Sequence, residues 1–324
     1  MRIIRIHQFG SPDVLKVEEA EAPHAETGQV VIAVEAVGVA FGDVIVRSGK
    51  FPVPLPHRPG FEVGGRVIEI GASVDATLLG QAVVAQTNHN QGGYAEQAVA
   101  DVASLTLVPD GLSVQQAVAV YLQGKTAVHL TKAMNVKAGE SALVTAAAGS
   151  LGSLLVQLVK SAGAGIVIGA ARGQRKLDFI RQLGADAAVD YSASDWPEQV
   201  RKLTDGAGVA VALDAVGGTI ALQAFQALAN GRGRLGVYGF ASGAYATFDT
   251  GELTRRGLTL LGPLGIAFAR PEADQRADAA FALSEAAAGR LKVTIGQTYP
   301  LERAADAHAA LETRQTIGKV LLIP

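Results

Sequence analysis

The chain has 324 residues, 49% of them hydrophobic and only 18% charged, which excludes a disordered polymer and gives enough material for two packed domains. Its 28 Lys and Arg nearly balance 30 Asp and Glu with no block of like charge, so there is no basic face for nucleic acid or an anionic membrane. With no cysteine, disulfide scaffolds, thiolate metal sites and thiol nucleophiles are all excluded, and redox chemistry does not settle the compartment.

The opening residues Met1-Arg2-Ile3-Ile4-Arg5-Ile6-His7 mix charge into apolar positions and lack a secretory apolar run, so a cytoplasmic enzyme is expected. As far as about residue 111, short β-branched runs are cut by Gly, Pro and Asn, and those at 29–37, 64–70 and 81–85 predict strands. Pro52, Pro54, Pro56 and Pro59 make 49–60 an irregular surface loop of the kind that borders pockets. Ser113 is the expected N-cap of a helix running toward 131.

A regular alternation follows. Apolar runs at 141–145, 165–169, 185–189, 209–213 and 234–238 alternate with helical stretches near 150–162, 174–183, 195–204 and 219–229, the pattern of a parallel sheet wound on both faces. The run 257–269 predicts one more buried strand and its exit, 271–290 and 301–314 predict amphipathic helices, and 318–323 a closing strand. Residues 141–159 carry no charge over a length that could span a bilayer, but their Ala, Gly and Ser content and Gln157 fit a buried strand, turn and helix better.

Directly after the run 141–145 stands Ala146-Ala147-Ala148-Gly149-Ser150-Leu151-Gly152. A dinucleotide turn needs glycine or small residues where the chain bends, where backbone nears pyrophosphate and where helix packs on strand; here Ala146 replaces the first glycine. The helix-start N–H groups would hold the pyrophosphate. At the end of the next strand, where a carboxylate would bind a ribose 2′-hydroxyl, the chain has Arg172, Arg175 and Lys176 instead. These cations suit a 2′-phosphate, so NADPH is the expected cofactor; the competing reading is an ordinary solvated basic helix start.

Taken with Pro59-Gly60-Phe61-Glu62-Val63-Gly64-Gly65, Gly92-Gly93-Tyr94-Ala95-Glu96, Gln123-Gly124-Lys125-Thr126-Ala127, Asp214-Ala215-Val216-Gly217-Gly218, Gly231 to Gly239 and Gly318-Lys319-Val320-Leu321-Leu322, this turn completes an ordered set of motifs. Over nearly its whole length the chain resembles the medium-chain dehydrogenase/reductase superfamily, specifically the zinc-free NADPH:quinone oxidoreductases related to zeta-crystallin. The resemblance implies an α/β protein whose doubly wound parallel Rossmann sheet, 113–259, is inserted into a mainly β, GroES-like catalytic domain of 1–112 plus 260–324. It also implies a cofactor cleft with Thr126, Gly239 and Phe240 near the nicotinamide, Val216 along the ribose, and Lys176 and Tyr191 near the adenosine phosphate. The competing reading of Thr126 is a helix hydroxyl bonded to its own backbone, and that of Tyr191 a half-buried surface aromatic.

Zinc-dependent relatives carry Cys and His where this chain has Ala40, in Gly38-Val39-Ala40-Phe41-Gly42-Asp43, and Phe61, in Gly60-Phe61-Glu62. No metal is expected, and the acceptor must therefore be electrophilic already: a quinone first, an enone or enoyl thioester second. The quinone reductases it resembles often have Asn at the position of Ala40 and Tyr at that of Ile45, so the expected pocket is more apolar, lined by Ala40, Phe41, Ile45, Phe51, Tyr94 and Phe268, each of which reads equally as core. Tyr94 is the candidate proton donor, with a buried anchor of the β domain as the competing reading. A third function class, a nucleotide-binding protein without turnover, stays open. Partners are a small electrophile and a second copy of the chain, joined through the edge strand in 257–269, with no nucleic acid and no membrane.

Overall fold

Near the N-terminus β1 (Arg2–Arg5) and β2 (Lys16–Glu19) form an antiparallel pair whose Ile3 and Ile4 are buried. The long β3 (Gln29–Val39) follows, then α1 (Phe41–Arg47), β4 (Glu62–Ile70), β5 (Ala82–Gln86), β6 (Gln97–Asp101) and β7 (Thr106–Leu107). β3 pairs antiparallel with both β4 and β6, and register shifts against β4 bend it where Val31 gives way to Ile32 and Val34 to Ala36. Its near-continuous Val, Ala and Ile content suits this, since neighbours cover both of its faces.

α2 (Val114–Ala133) begins with a capping box: Ser113 Oγ accepts from the Gln116 N–H at 3.2 Å and Gln116 Oε1 accepts from the Ser113 N–H at 3.0 Å. The alternating units then appear as β8 (Ser141–Thr145), α3 (Ser150–Ser161), β9 (Ile166–Ala171), α4 (Gln174–Gln182), β10 (Ala187–Asp190), α5 (Trp196–Lys202), β11 (Val211–Asp214), α6 (Gly218–Gln226), β12 (Arg234–Val237), α7 (Thr250–Arg256) and β13 (Thr259–Leu261). All pairings are parallel, in the order β10-β9-β8-β11-β12-β13, so the winding reverses between β8 and β11. Leu143, Ile168, Ala212 and Leu235 are fully buried in the core of this sheet.

Here the structure departs from the expected strand at 257–269. β13 is three residues long and at the sheet edge, with Leu260 39% exposed, and α8 (Pro263–Phe268) takes over at once. Pro263 lacks the N–H a ladder requires and sits comfortably in the first turn of a helix, which ends the strand. The chain closes with α9 (Glu272–Ala287), β14 (Ile295–Pro300), α10 (Ala304–Glu312) and β15 (Lys319–Ile323). β15 pairs with β3 and with β14, completing a seven-stranded sheet ordered β14-β15-β3-β4-β5-β7 with β6 on β3. Ile32, Val63, Leu301 and Leu322 belong to its core.

This computed structural model describes residues 1–324, Asn90 by its backbone alone, and divides into one unit of 1–125 with 279–324 and another of 126–278. The divisions fall inside α2 and α9, whereas the sequence reading places them at 112 and 260. A helical pattern marks a buried face without showing which sheet covers each end: Val118 of α2 packs over Gly64 of β4, and Met134, just beyond α2, packs on Gly236 of β12.

Candidate active site

The turn after β8 takes a shape that its residue types permit only with care. Ala146 adopts φ +48°, left-handed backbone that alanine tolerates at a cost of about 1 kcal/mol. Gly149 is the N-cap of α3 and has no side chain to cap it, leaving the first-turn N–H groups of Ser150, Leu151 and Gly152 for an anion. At Gly152 any Cβ would lie 2.3 Å from the Ala146 carbonyl oxygen, so helix and strand meet here only through glycine.

Across the point where the winding reverses, Asp214 at the end of β11 accepts from Thr145 Oγ1 at 2.6 Å and from the Gly217 N–H at 2.8 Å, while the Ala215 N–H donates to Thr145 Oγ1 at 3.2 Å. Burial holds the Asp214 carboxyl above the usual range despite these donors. Val216 is buried beside it, and its carbonyl accepts from the Ser242 N–H at 2.8 Å, as that of Ala215 does from the Ala241 N–H at 3.0 Å. The half-buried Gly239 and Phe240 are thereby tied to the 215–216 turn. Neither Asp214 nor Thr145 has a role in the sequence reading; the pairing of the two strands is the missing information.

At the end of β9, Arg172 and Arg175 are exposed and Lys176 is half-buried, and neither arginine makes an ion pair among the described residues. Asp190, the last residue of β10, lies beside them. Its carboxylate accepts from the Gly173 N–H at 2.8 Å and from the backbone N–H and hydroxyl of Ser192 at 2.8 and 2.6 Å. Despite partial burial these donors keep it below the usual carboxylate range. Asp190, which the sequence reading passed over, thus shapes the backbone at the start of α4, and Tyr191 follows it half-buried.

In the other unit Ala40, Phe41 and Ile45 sit half-buried at the start and along α1, and Phe61 packs its ring on Gly42. Tyr94 is 1% exposed, its hydroxyl engaged with His308 Nε2 at 2.9 Å, as the reading of a buried anchor requires. Phe51, on the proline loop, is 64% exposed, and Phe268 is 73% exposed on α8, where a surface helix stands in place of the expected buried exit. Thr126 is half-buried on α2.

The position where the resemblance would place a metal, at Ala40 and Phe61, offers no donor set. Ala40 and Phe61 have no metal-binding atoms, and the Glu62 carboxylate is bonded to the Lys319 ammonium, which also donates to Gln123 Oε1 at 2.9 Å. Gly38 makes room for this, since a Cβ there would lie 2.4 Å from Glu62 Oε1. A zinc ion does not fit these residues.

One unit thus carries a parallel sheet with a glycine turn after β8, and the other a mainly antiparallel sheet built from both ends of the chain. Two families match: "Alcohol dehydrogenase GroES-like domain" over residues 26–110 and "Zinc-binding dehydrogenase" over residues 150–282. The chain is 33% identical to the quinone oxidoreductase of Pseudomonas aeruginosa, covering 99% of each chain, and 33% identical to a 2-haloacrylate reductase of Burkholderia sp, covering 98% of each. The structure of Escherichia coli quinone oxidoreductase complexed with NADPH superposes with a TM-score of 0.92 at 30% identity over 100% of both chains. The chain belongs to the medium-chain dehydrogenase/reductase superfamily, in its zeta-crystallin-like group, and is an oxidoreductase with a Rossmann and a GroES-like domain.

Proposed function

We propose that this enzyme passes hydride from NADPH to a quinone without a metal ion. The observation that carries the reading is the donor-free position at Ala40 and Phe61 with Glu62 already paired to Lys319: nothing there can polarise an unactivated alcohol or ketone, so the acceptor has to stabilise the incoming electron pair itself. When bound, NADPH supplies a hydride, and the reduced acceptor takes one further proton from solvent.

The chain's own residues bind, orient and exclude water. The N–H groups of Ser150, Leu151 and Gly152 hold the pyrophosphate on the turn made by Ala146 and Gly149. Arg172, Arg175 and Lys176, with Tyr191 beside them, pair with the 2′-phosphate by charge-assisted hydrogen bonds. Val216 lies along the ribose, and Thr126, Gly239 and Phe240 bound the nicotinamide. Ala40, Phe41 and Ile45 present an apolar wall to the acceptor, which desolvates it. The NADPH complex of the similar Escherichia coli enzyme supports the choice of cofactor.

Reduction of an activated carbon–carbon double bond is the second reading, favoured by the likeness to a 2-haloacrylate reductase. NADPH oxidation measured with a panel of quinones, enones and enoyl thioesters separates the two. A kcat/KM for quinones at least about tenfold above that for every double-bond substrate supports the first reading, and the reverse order replaces it with the second. Two copies pairing through β13 form the proposed assembly, because this strand leaves one edge of the parallel sheet open.

A further inference from the structure

Beneath α1 lies a buried polar chain that the hydride transfer above does not use. Asp43, 1% exposed, accepts from the Ala40 N–H through Oδ2 at 2.9 Å and from the Gly60 N–H through Oδ1 at 3.0 Å. The first bond fixes the start of α1; the second fixes the end of the proline loop, where the Gly60 carbonyl also accepts from Thr87 Oγ1 at 2.7 Å. The Tyr94 hydroxyl lies against the same carboxyl and meets His308 Nε2 of α10 at 2.9 Å. Among the described residues, His308 Nδ1 and the Nε and Nη1 of Arg47 are buried without protein partners, while Arg47 Nη2 is bonded to Glu312.

We propose that Asp43 is a positioning residue for the acceptor pocket: ionised, its carboxylate holds the start of α1 and the end of the proline loop in place, and protonated, it relaxes that hold by reversing the hydrogen bonds through Tyr94 and His308. The pocket role of α1 rests on the function proposed above; the hold itself does not.

The argument is one of donors and acceptors. An ionised Asp43 accepts from two backbone N–H groups and draws the hydrogen of the neighbouring Tyr94 hydroxyl toward itself; with that hydrogen so turned, Tyr94 accepts from His308 Nε2–H, leaving Nδ1 as a bare acceptor in the field of the Arg47 guanidinium. Protonation gives Asp43 a hydrogen that must be donated, and the Tyr94 oxygen is beside it. Tyr94 then donates to His308 Nε2, which forces the proton of neutral His308 onto Nδ1 and turns that atom toward a cation as a donor. The N–H bonds to Asp43 weaken at the same time, because a neutral acid is a poorer acceptor than a carboxylate.

The charged groups around Asp43 oppose one another: Lys319 of β15 favours the ionised form and Glu62 of β4 the protonated one, while Arg47 of α1, itself paired with Glu312 of α10, acts on Tyr94 and His308. Burial wins by enough to push Asp43 up to about 7, so both forms are populated near neutrality.

The test has two readouts on the full-length enzyme. Hydrogen exchange of peptides spanning α1 and the proline loop, corrected for intrinsic rates, is followed from about pH 5.5 to about 8.5. In the same range KM and kcat for 1,4-benzoquinone are measured beside the NADPH dissociation constant. Wild type should lose protection in both peptides as pH falls through neutrality, with acceptor KM rising about fivefold while NADPH affinity shows no matching inflection. Asp43→Asn should show low protection and a raised KM at every pH. Tyr94→Phe, which keeps the carboxyl, should move the inflection upward, since a carboxylate loses more than a neutral acid when one donor is removed. Protection that stays constant with pH in wild type, or a Tyr94→Phe inflection that does not move, overturns the inference. Protection that changes as expected in an enzyme that reduces no quinone or enone leaves the hold standing and removes the acceptor reading instead.

Discussion

Thr145 Oγ1 donates to Asp214 at 2.6 Å across the ends of two neighbouring parallel strands, the pair between which the sheet reverses its winding. The same hydroxyl accepts from the Ala215 N–H, and Asp214 holds the Gly217 N–H, so one contact sets the shape of both turns. Thr145→Val keeps the volume and strips a fully buried carboxylate of one donor. The expected loss is about 2 kcal/mol of stability, together with a several-fold weaker NADPH affinity, checked by urea unfolding and by fluorescence titration.

Removing a cation from the end of β9 should weaken NADPH and leave NADH unchanged. Arg172→Ala and Lys176→Ala are each expected to raise the NADPH dissociation constant by about tenfold or more, equivalent to about 1.5 kcal/mol for a charge-assisted bond to phosphate. Equal effects on the two cofactors would place the 2′-phosphate elsewhere.

Turnover should survive prolonged treatment with EDTA or phenanthroline, and elemental analysis of the purified enzyme should find no stoichiometric zinc. The reason is local: Ala40 and Phe61 offer no ligand atom, and the Glu62 carboxylate is held by Lys319. Activity that tracks bound zinc would contradict it.

His308 should make the protein sensitive to mild acid. Burial, and then the nearby Arg47 charge, lower it from its ordinary value to about 3, so the unfolded chain binds this proton more tightly than the folded one. Its contribution to stability is therefore complete above the ordinary histidine range and drains away as pH falls from there toward about 3, amounting to about 2 kcal/mol between neutrality and pH 5. His308→Gln, which retains a partner for the Tyr94 hydroxyl, should flatten this part of the stability profile measured by thermal unfolding.

Leu260, 39% exposed on the edge strand β13, is the residue through which association should be broken. Leu260→Lys places a charge on an open sheet edge and should convert a dimer to monomer in light scattering at micromolar concentration, without loss of secondary structure. A wild-type monomer under the same conditions would remove the proposed assembly.

Much of this protein could be read along the chain. The alternation from residue 141 to 238 comes out at the expected places because periodicity and the sterics of Gly and Pro act over a few residues. The run 257–269 supplied the expected edge strand but not its expected length: apolar character alone does not separate a long buried strand from a short one followed by a surface helix, and Pro263 was the signal that could have done so.

The sequence by itself determined the doubly wound half, the glycine turn, the basic end of β9 and the donor-free side chains of Ala40 and Phe61, all of them properties of residue type at a given place in the chain. Only the tertiary structure decided that Tyr94 meets His308, that Lys319 neutralises Glu62 from 257 residues away, and that Asp214 is held by Thr145 from 69 residues away. Those pairings depend on strand order and on which side chains burial forces to find partners, and a buried polar group takes whatever donor the packing brings within reach, however far off it lies along the chain.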